Sequence, residues 1–202
     1  VQYPNRMVSW SNRVSIQNHG TETRISCPLL REHGPQIIKD VQIRPGLPWR
    51  EDIFRKIVAA YKGAPYFKNC IGLFEEMLYR KTGNISVYNI ENIKLLCERL
   101  KIESTFVLQS ELATIKASTA LLIEITRKVG CNTYLCGSGA GGYQDDGLFE
   151  RESIELLYQD FRHPEYSQGT DGFISGLSVL DLLFNCGTEK AGDIIRANVE
   201  RK

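Results

Sequence analysis

The sequence predicts an α/β fold, a largely parallel sheet flanked by helices with an antiparallel hairpin near the N-terminus. Three observations lead there. Apolar residues make up 42% and charged residues 24% of 202 positions, the usage of a globular chain with enough material for one domain. The hydrophobic period changes from two to helical near Trp49. The later half then alternates helix, strand, glycine-rich loop and strand, which is the grammar of strands joined by crossover helices.

In chain order, residues 12–17 and 21–27 read as strands around Asn18-His19-Gly20, a turn whose glycine can adopt positive φ. Residues 40–43 alternate again, with Val41 and Ile43 on one face, before Pro45, Gly46 and Pro48 interrupt. Ile53, Ile57 and Tyr61 then share a helical face, with Glu51 and Asp52 in the first turn, where the helix dipole favours anions. Helices are expected over 69–81 and 86–100, the second capped by Ser86 with Ile90, Ile93, Cys97 and Leu100 inward. A short β-rich run covers 105–108. The next helix spans 114–129, with Leu121, Ile125 and Val129 on one face and Gly130 as its C-terminal cap. Strands are expected over 133–136 and 154–158. Helices follow over 174–184, ending at Gly187, and over 191–201. No repeat or long linker divides residues 1–202, which read as a single domain.

The charge balance, 25 Lys and Arg against 24 Asp and Glu, offers no basic stripe for nucleic acid. No apolar run approaches the roughly 20 residues that span a bilayer, so membrane insertion is not expected. Val1-Gln2-Tyr3-Pro4 lacks the basic and apolar regions of a signal peptide. The six cysteines form no C-x-x-C pair, which argues against a zinc ribbon or a redox motif and leaves no metal motif. Reduced thiols and a cytoplasmic location are the expectation.

Four constellations carry chemistry. Gly137-Ser138-Gly139-Ala140-Gly141-Gly142 follows a strand directly, where open α/β sheets bind ligands, and its bare backbone can close on a phosphate. It is neither G-x-G-x-x-G before an apolar helix nor a Walker loop, and a plain flexible connection fits it too. Phe161-Arg162-His163-Pro164-Glu165-Tyr166-Ser167-Gln168 gathers a base, a cation and a phenol in one turn, although a lone loop histidine is often only a surface residue. Asp181 sits among apolar helix neighbours and needs a partner, for which Arg13 or Asn12 is expected. Trp10, Asn12 and Arg13 stand together in the first strand. Cys136 could be a thiol nucleophile but more often such a cysteine is a small core residue.

Taken together, several segments resemble the WbqC-like proteins. In the opening half these are Gln2-Tyr3, Trp10-Ser11-Asn12-Arg13 and residues 61–67 (YKGAPYF). In the closing half they are residues 133–137 (TYLCG), Tyr143, residues 164–168 (PEYSQ) and residues 177–187 (LSVLDLLFNCG), the last being the most specific. Members typically begin with a further strand and helix, so that unit is expected to be missing here. Members also usually carry Ser where this chain has Cys136, which argues against an obligatory thiol nucleophile.

The resemblance implies a place in O-antigen, lipopolysaccharide or other surface-glycan biosynthesis, with transfer of glycine or a similar acyl group to an amino sugar. A loose likeness of the family's opening segment to nucleotidylyltransferase-like folds implies ATP or another activated acyl donor. The reading is therefore a Rossmann-like transferase forming an amide on a nucleotide-linked amino sugar. His163 is the candidate base and Asp181 its orienting or amine-binding carboxylate. Asn12, Arg13, Gly137, Ser138, Gly139, Tyr143, Tyr166, Gln168 and Asn185 are the candidate substrate-binding residues. The rival is a non-catalytic sugar-nucleotide-binding or glycan-assembly protein, which needs no base.

Overall fold

The structure, a computed structural model, describes residues 2–3, 11–30, 36–137 and 144–199. It is a mixed α/β chain that separates into two compact units, residues 1–103 with 163–202, and residues 104–162.

The first unit opens with β1 (Gln2–Tyr3), antiparallel to β4 (Gln36–Ile37). Strands β2 (Arg13–Asn18) and β3 (Thr21–Ser26) form the expected hairpin, closing at Asn18 opposite Thr21. Its two turn residues, His19 and Gly20, have φ of 49° and 79°, the pair of positive angles that a tight hairpin with native strand twist requires. Where a strand was expected over 40–43, a 3-10 turn (Ile38–Asp40) is followed by isolated bridges from Gln42 to Asn84 and from Ile43 to Leu29. Val41 and Ile43 are buried as the alternation predicts, but the segment finds scattered partners instead of a ladder.

Helix α1 (Trp49–Tyr61) buries Trp49, Ile53, Ile57 and Tyr61 at four-residue spacing. Helix α2 (Phe67–Leu78) turns Cys70, Phe74 and Leu78 inward. Helix α3 (Ile85–Arg99) starts one residue earlier than predicted. Its cap is Asn84, not Ser86, and the Asn84 side chain accepts from the Val87 N–H at 3.0 Å. The expected inward stripe of α3 holds in part. Leu100 is buried as expected and Ile90 and Cys97 are half-buried, but Ile93 is exposed, because Asn92 beside it turns inward to accept from Arg80 Nε and donate to the Met77 carbonyl.

Helix α6 (Val179–Val199) contains the break predicted at Gly187, whose φ of 78° and ψ of 166° lie outside the helix. The break leaves carbonyls without intrahelical donors, and the start of α2 supplies them. The Tyr66 N–H donates to the Phe184 carbonyl at 2.9 Å, and Cys70 Sγ to the Leu183 carbonyl at 3.4 Å. The helix was expected from residue 174 but begins at 179. Both backbone groups of Ile174 are taken by the Gln168 side chain, and the Ser178 N–H is taken by the Ser15 carbonyl. Phe184 packs its ring against Tyr61, Phe67 and Phe74, with centroids 5.0, 5.6 and 6.4 Å away, at the centre of this unit's core.

The second unit holds α4 (Ser118–Lys128), β5 (Thr133–Gly137), α5 (Asp146–Arg151) and β6 (Glu155–Gln159). Strands β5 and β6 are parallel, paired from Thr133–Glu155 to Gly137–Gln159. Among the described strands the parallel character predicted for most of the sheet is confined to this pair, and the other two pairings are antiparallel. Thr119, Ile123 and Thr126 form the buried face of α4, in place of the predicted Leu121–Ile125–Val129 stripe. The helix begins four residues later than expected because Glu124 accepts from the N–H groups of Ile115 and Lys116 and holds them outside it. Ile123, Phe149 and Ile154 are the core, with Tyr134 stacked on Phe149 at 5.2 Å. The β-rich run at 105–108 adopts no regular structure. Among the described residues no helix is long and apolar enough to cross a membrane.

Candidate functional site

The polar centre of the first unit is built on Asp181, in the first turn of α6, whose side chain is 0% exposed. A bare carboxylate in that position would cost several kcal/mol, so its lone pairs must be filled. Tyr61, the last residue of α1, donates its hydroxyl to Asp181 Oδ2 at 2.8 Å. Tyr166, on the segment between β6 and α6, donates to Oδ1 at 2.9 Å. Asn185, one helical turn on, donates Nδ2 to Oδ1 at 3.3 Å and to the Asp181 carbonyl at 2.9 Å. The carboxylate is thus held by two phenols and an amide. The expected partners lie elsewhere: Arg13 Nε donates to Ser26 Oγ at 3.1 Å, and Asn12 Nδ2 to the Cys27 carbonyl at 3.0 Å.

The network extends outward through shared groups. Tyr61 Oη also accepts the Gln17 N–H from β2 at 3.0 Å. The Gln17 side chain donates to Thr170 Oγ1 at 2.6 Å and to the Gln168 carbonyl at 3.3 Å. Gln168 Oε1 accepts from the Ile174 N–H at 2.8 Å, and its Nε2 donates to the Ile174 carbonyl at 2.9 Å. Burial, reinforced by the Asp181 charge, pushes the Tyr61 phenol well above its usual range. Burial does the same to Tyr166. Both therefore stay protonated near neutrality, as hydroxyls that must donate to Asp181 need to be.

Of the predicted site residues, Asp181, Tyr166, Gln168 and Asn185 fall into this one network. His163 stands exposed three residues before Tyr166, and Asp181's carboxylate is bonded to Tyr61, Tyr166 and Asn185. Asn12 and Arg13 belong to the hairpin. Gly137 ends β5 in the second unit, opposite Gln159, with open space where a Cβ would stand. Ser138, Gly139 and Tyr143, with the rest of the glycine loop, lie outside the described residues, as does Trp10. Tyr61, Gln17 and Thr170 were missed. Tyr61 could have been found, since a tyrosine on a buried helix face needs a partner for its hydroxyl and Asp181 is an acid needing a donor. Among the described residues no cluster of His, Cys, Asp and Glu could hold a metal ion.

Asp181 and Asn185 lie within residues 177–187, the stretch most specific to the resemblance noted above, and Tyr166 and Gln168 lie within its 164–168 piece. The family model of the WbqC-like proteins matches residues 1–192. The chain belongs to the WbqC-like protein family. It is also 26% identical over 199 residues to Rv1507c of Mycobacterium tuberculosis, described as an uncharacterized protein. That alignment covers 97% of this chain and 84% of the relative. No solved structure matches. In this WbqC-like chain the buried centre is therefore a feature of the family-matched region, assembled from residues between 17 and 61 and between 166 and 185.

Proposed function

We propose that this WbqC-like chain forms an amide on a nucleotide-linked amino sugar, transferring a glycyl or related acyl group in surface-polysaccharide biosynthesis in the cytoplasm. Family membership over residues 1–192 supports the assignment to that biosynthetic context. The parallel β5–α5–β6 arrangement supports a Rossmann-like second unit.

The observation that carries the reading is the anchoring of the turn bearing His163. Three residues beyond it Tyr166 is tied to Asp181, and Gln168 is tied to Ile174 and Gln17, so an exposed base projects from a segment pinned to the core. Such a base accepts the proton of the attacking amine as the nitrogen–carbon bond forms and the bond from the acyl carbon to its leaving group breaks. In this arrangement Asp181 acts through Tyr166 as a positioning residue. The acyl group reaches the enzyme activated, through ATP or as a preformed donor.

The test is incubation of the protein, as its gene encodes it, with glycine, ATP and a panel of nucleotide-linked amino sugars. Mass spectrometry should find a product heavier by one glycyl group. One observation favours a second reading, a non-catalytic sugar-nucleotide-binding protein: Asp181 is sealed from solvent and cannot touch a substrate. Calorimetric binding of nucleotide sugars with no product under any donor would decide for it.

A further inference from the structure

A cavity of about 370 Å³ lies within the first unit, between the β2–β3 hairpin, helices α1 to α3 and the start of α6. That volume falls within the range of small-molecule sites, roughly 300–1,000 Å³. Its walls are apolar, with Val14, Trp49, Phe74, Ile93 and Leu180 representing the five elements. Val14 is 40% and Ile93 46% exposed, large apolar side chains at the border of the cavity.

Among the described residues lining it, Arg13 is the one Lys, Arg, His, Asp or Glu. Its Nε is fixed to Ser26 Oγ, also on the wall, and among the described residues Arg13 forms no ion pair. The terminal nitrogens of the guanidinium are left to serve an acceptor. Other polar groups of the lining are committed to the protein, Asn92 to Arg80 and Met77, and Asn89 Nδ2 to the Ser11 carbonyl. Burial pushes the Cys27 thiol and the Tyr88 phenol, both on the wall, up to about 12, so neither adds a charge near neutrality.

From this arrangement we infer that the cavity binds a small organic acid with an apolar body, its carboxylate held by Arg13. A planar guanidinium suits a carboxylate, which it can meet with two parallel N–H bonds, whereas a phosphate dianion would need further cations that the described lining does not hold. The apolar body replaces water against Val14, Ile93 and the aromatic floor, which is where the binding energy comes from. The site stands apart from the transferase reading, because it is tested by binding alone and neither result decides the other.

The test is titration calorimetry with octanoate, 1-octanol and octylammonium as probes. Octanoate should bind tightest and octylammonium weakest. Arg13→Gln should weaken octanoate by about 10–100-fold, the worth of charged hydrogen bonds, and leave octanol unchanged. Ile93→Trp should fill the space and abolish binding of both. As Ile93 is half exposed, that variant should keep the parent's melting temperature and so isolates cavity filling from misfolding. The inference is overturned if octanol binds as tightly as octanoate, if Arg13→Gln retains octanoate, or if octanoate binds no more tightly than millimolar. A crystal structure grown with octanoate that shows the cavity filled by the protein's own side chains overturns it as well.

Discussion

Replacing Asp181 with Asn removes a charge while keeping shape, and the network around it fixes the cost. The carboxylate receives three side-chain donors on two oxygens: Tyr61 on Oδ2, Tyr166 and Asn185 on Oδ1. An amide has one oxygen, so one side must now face an NH₂ group. If NH₂ faces Tyr61, that hydroxyl loses its acceptor, since its own oxygen already receives the Gln17 N–H. If NH₂ faces Oδ1's former partners, it meets the Asn185 amide, donor against donor. Either orientation leaves a buried donor unmade, at about 1–3 kcal/mol, and weakens the remaining bonds from charge-assisted to neutral. A loss of about 2–4 kcal/mol follows, or roughly 4–16 °C in melting temperature for a chain of this size. Tryptophan emission during urea unfolding is the assay, because Trp49 belongs to the unit containing Asp181. Tyr166→Phe should cost less, about 1–2 kcal/mol, and the two changes together should be non-additive because they share a bond. An Asp181→Asn protein within about 0.5 kcal/mol of the parent would refute the argument that this carboxylate organises the unit.

Further outcomes are expected. Gly187→Ala should destabilise the protein by a few kcal/mol in thermal melts, because φ is positive there and a Cβ would stand 2.7 Å from the Tyr66 ring. Gly192→Ala should do likewise, its Cβ meeting the Leu100 carbonyl oxygen at 2.5 Å. Tyr61 and Tyr166 titrate higher when folded than the usual value of about 10, so above that pH the folded state holds protons the unfolded chain has lost. Their stabilisation is complete below about pH 10 and falls as pH rises beyond it. Cys27, raised from 9.0 to about 12, starts the same decline about one unit earlier. Urea midpoints measured from pH 8 to 11 should show the fall, and Tyr166→Phe should flatten it. His163→Gln should lower turnover in the glycyl-transfer assay by two to four orders of magnitude with nucleotide-sugar binding intact. Unchanged turnover would remove it as the base.

What the chain determines locally was legible in its residues. Asn18-His19-Gly20 sets the hairpin because only a turn with positive φ joins two strands so tightly. The spacing of Ile53, Ile57 and Tyr61 sets the buried face of α1, and Gly187 sets the break in α6. These features depend on neighbours a few positions away, which a sequence displays directly. The same reading could say that Asp181 needed a partner but chose the wrong one. Its true partners are 120 and 15 positions distant in Tyr61 and Tyr166, and which donor arrives is decided by how α1 and the 164–178 segment pack on α6. The inward face of α3 was legible at Leu100 but not at Ile93, for a related reason. Burial of Asn92 is worthwhile because Arg80 and the Met77 carbonyl are waiting for it, and Ile93 beside it is then left exposed at the border of the cavity. Strand pairing was likewise hidden, since residues 105–108 and 40–43 have strand composition but no continuous partner. Local chemistry decides which conformations a segment can adopt. Which of its polar groups are satisfied, and by whom, is settled only when distant segments are brought together.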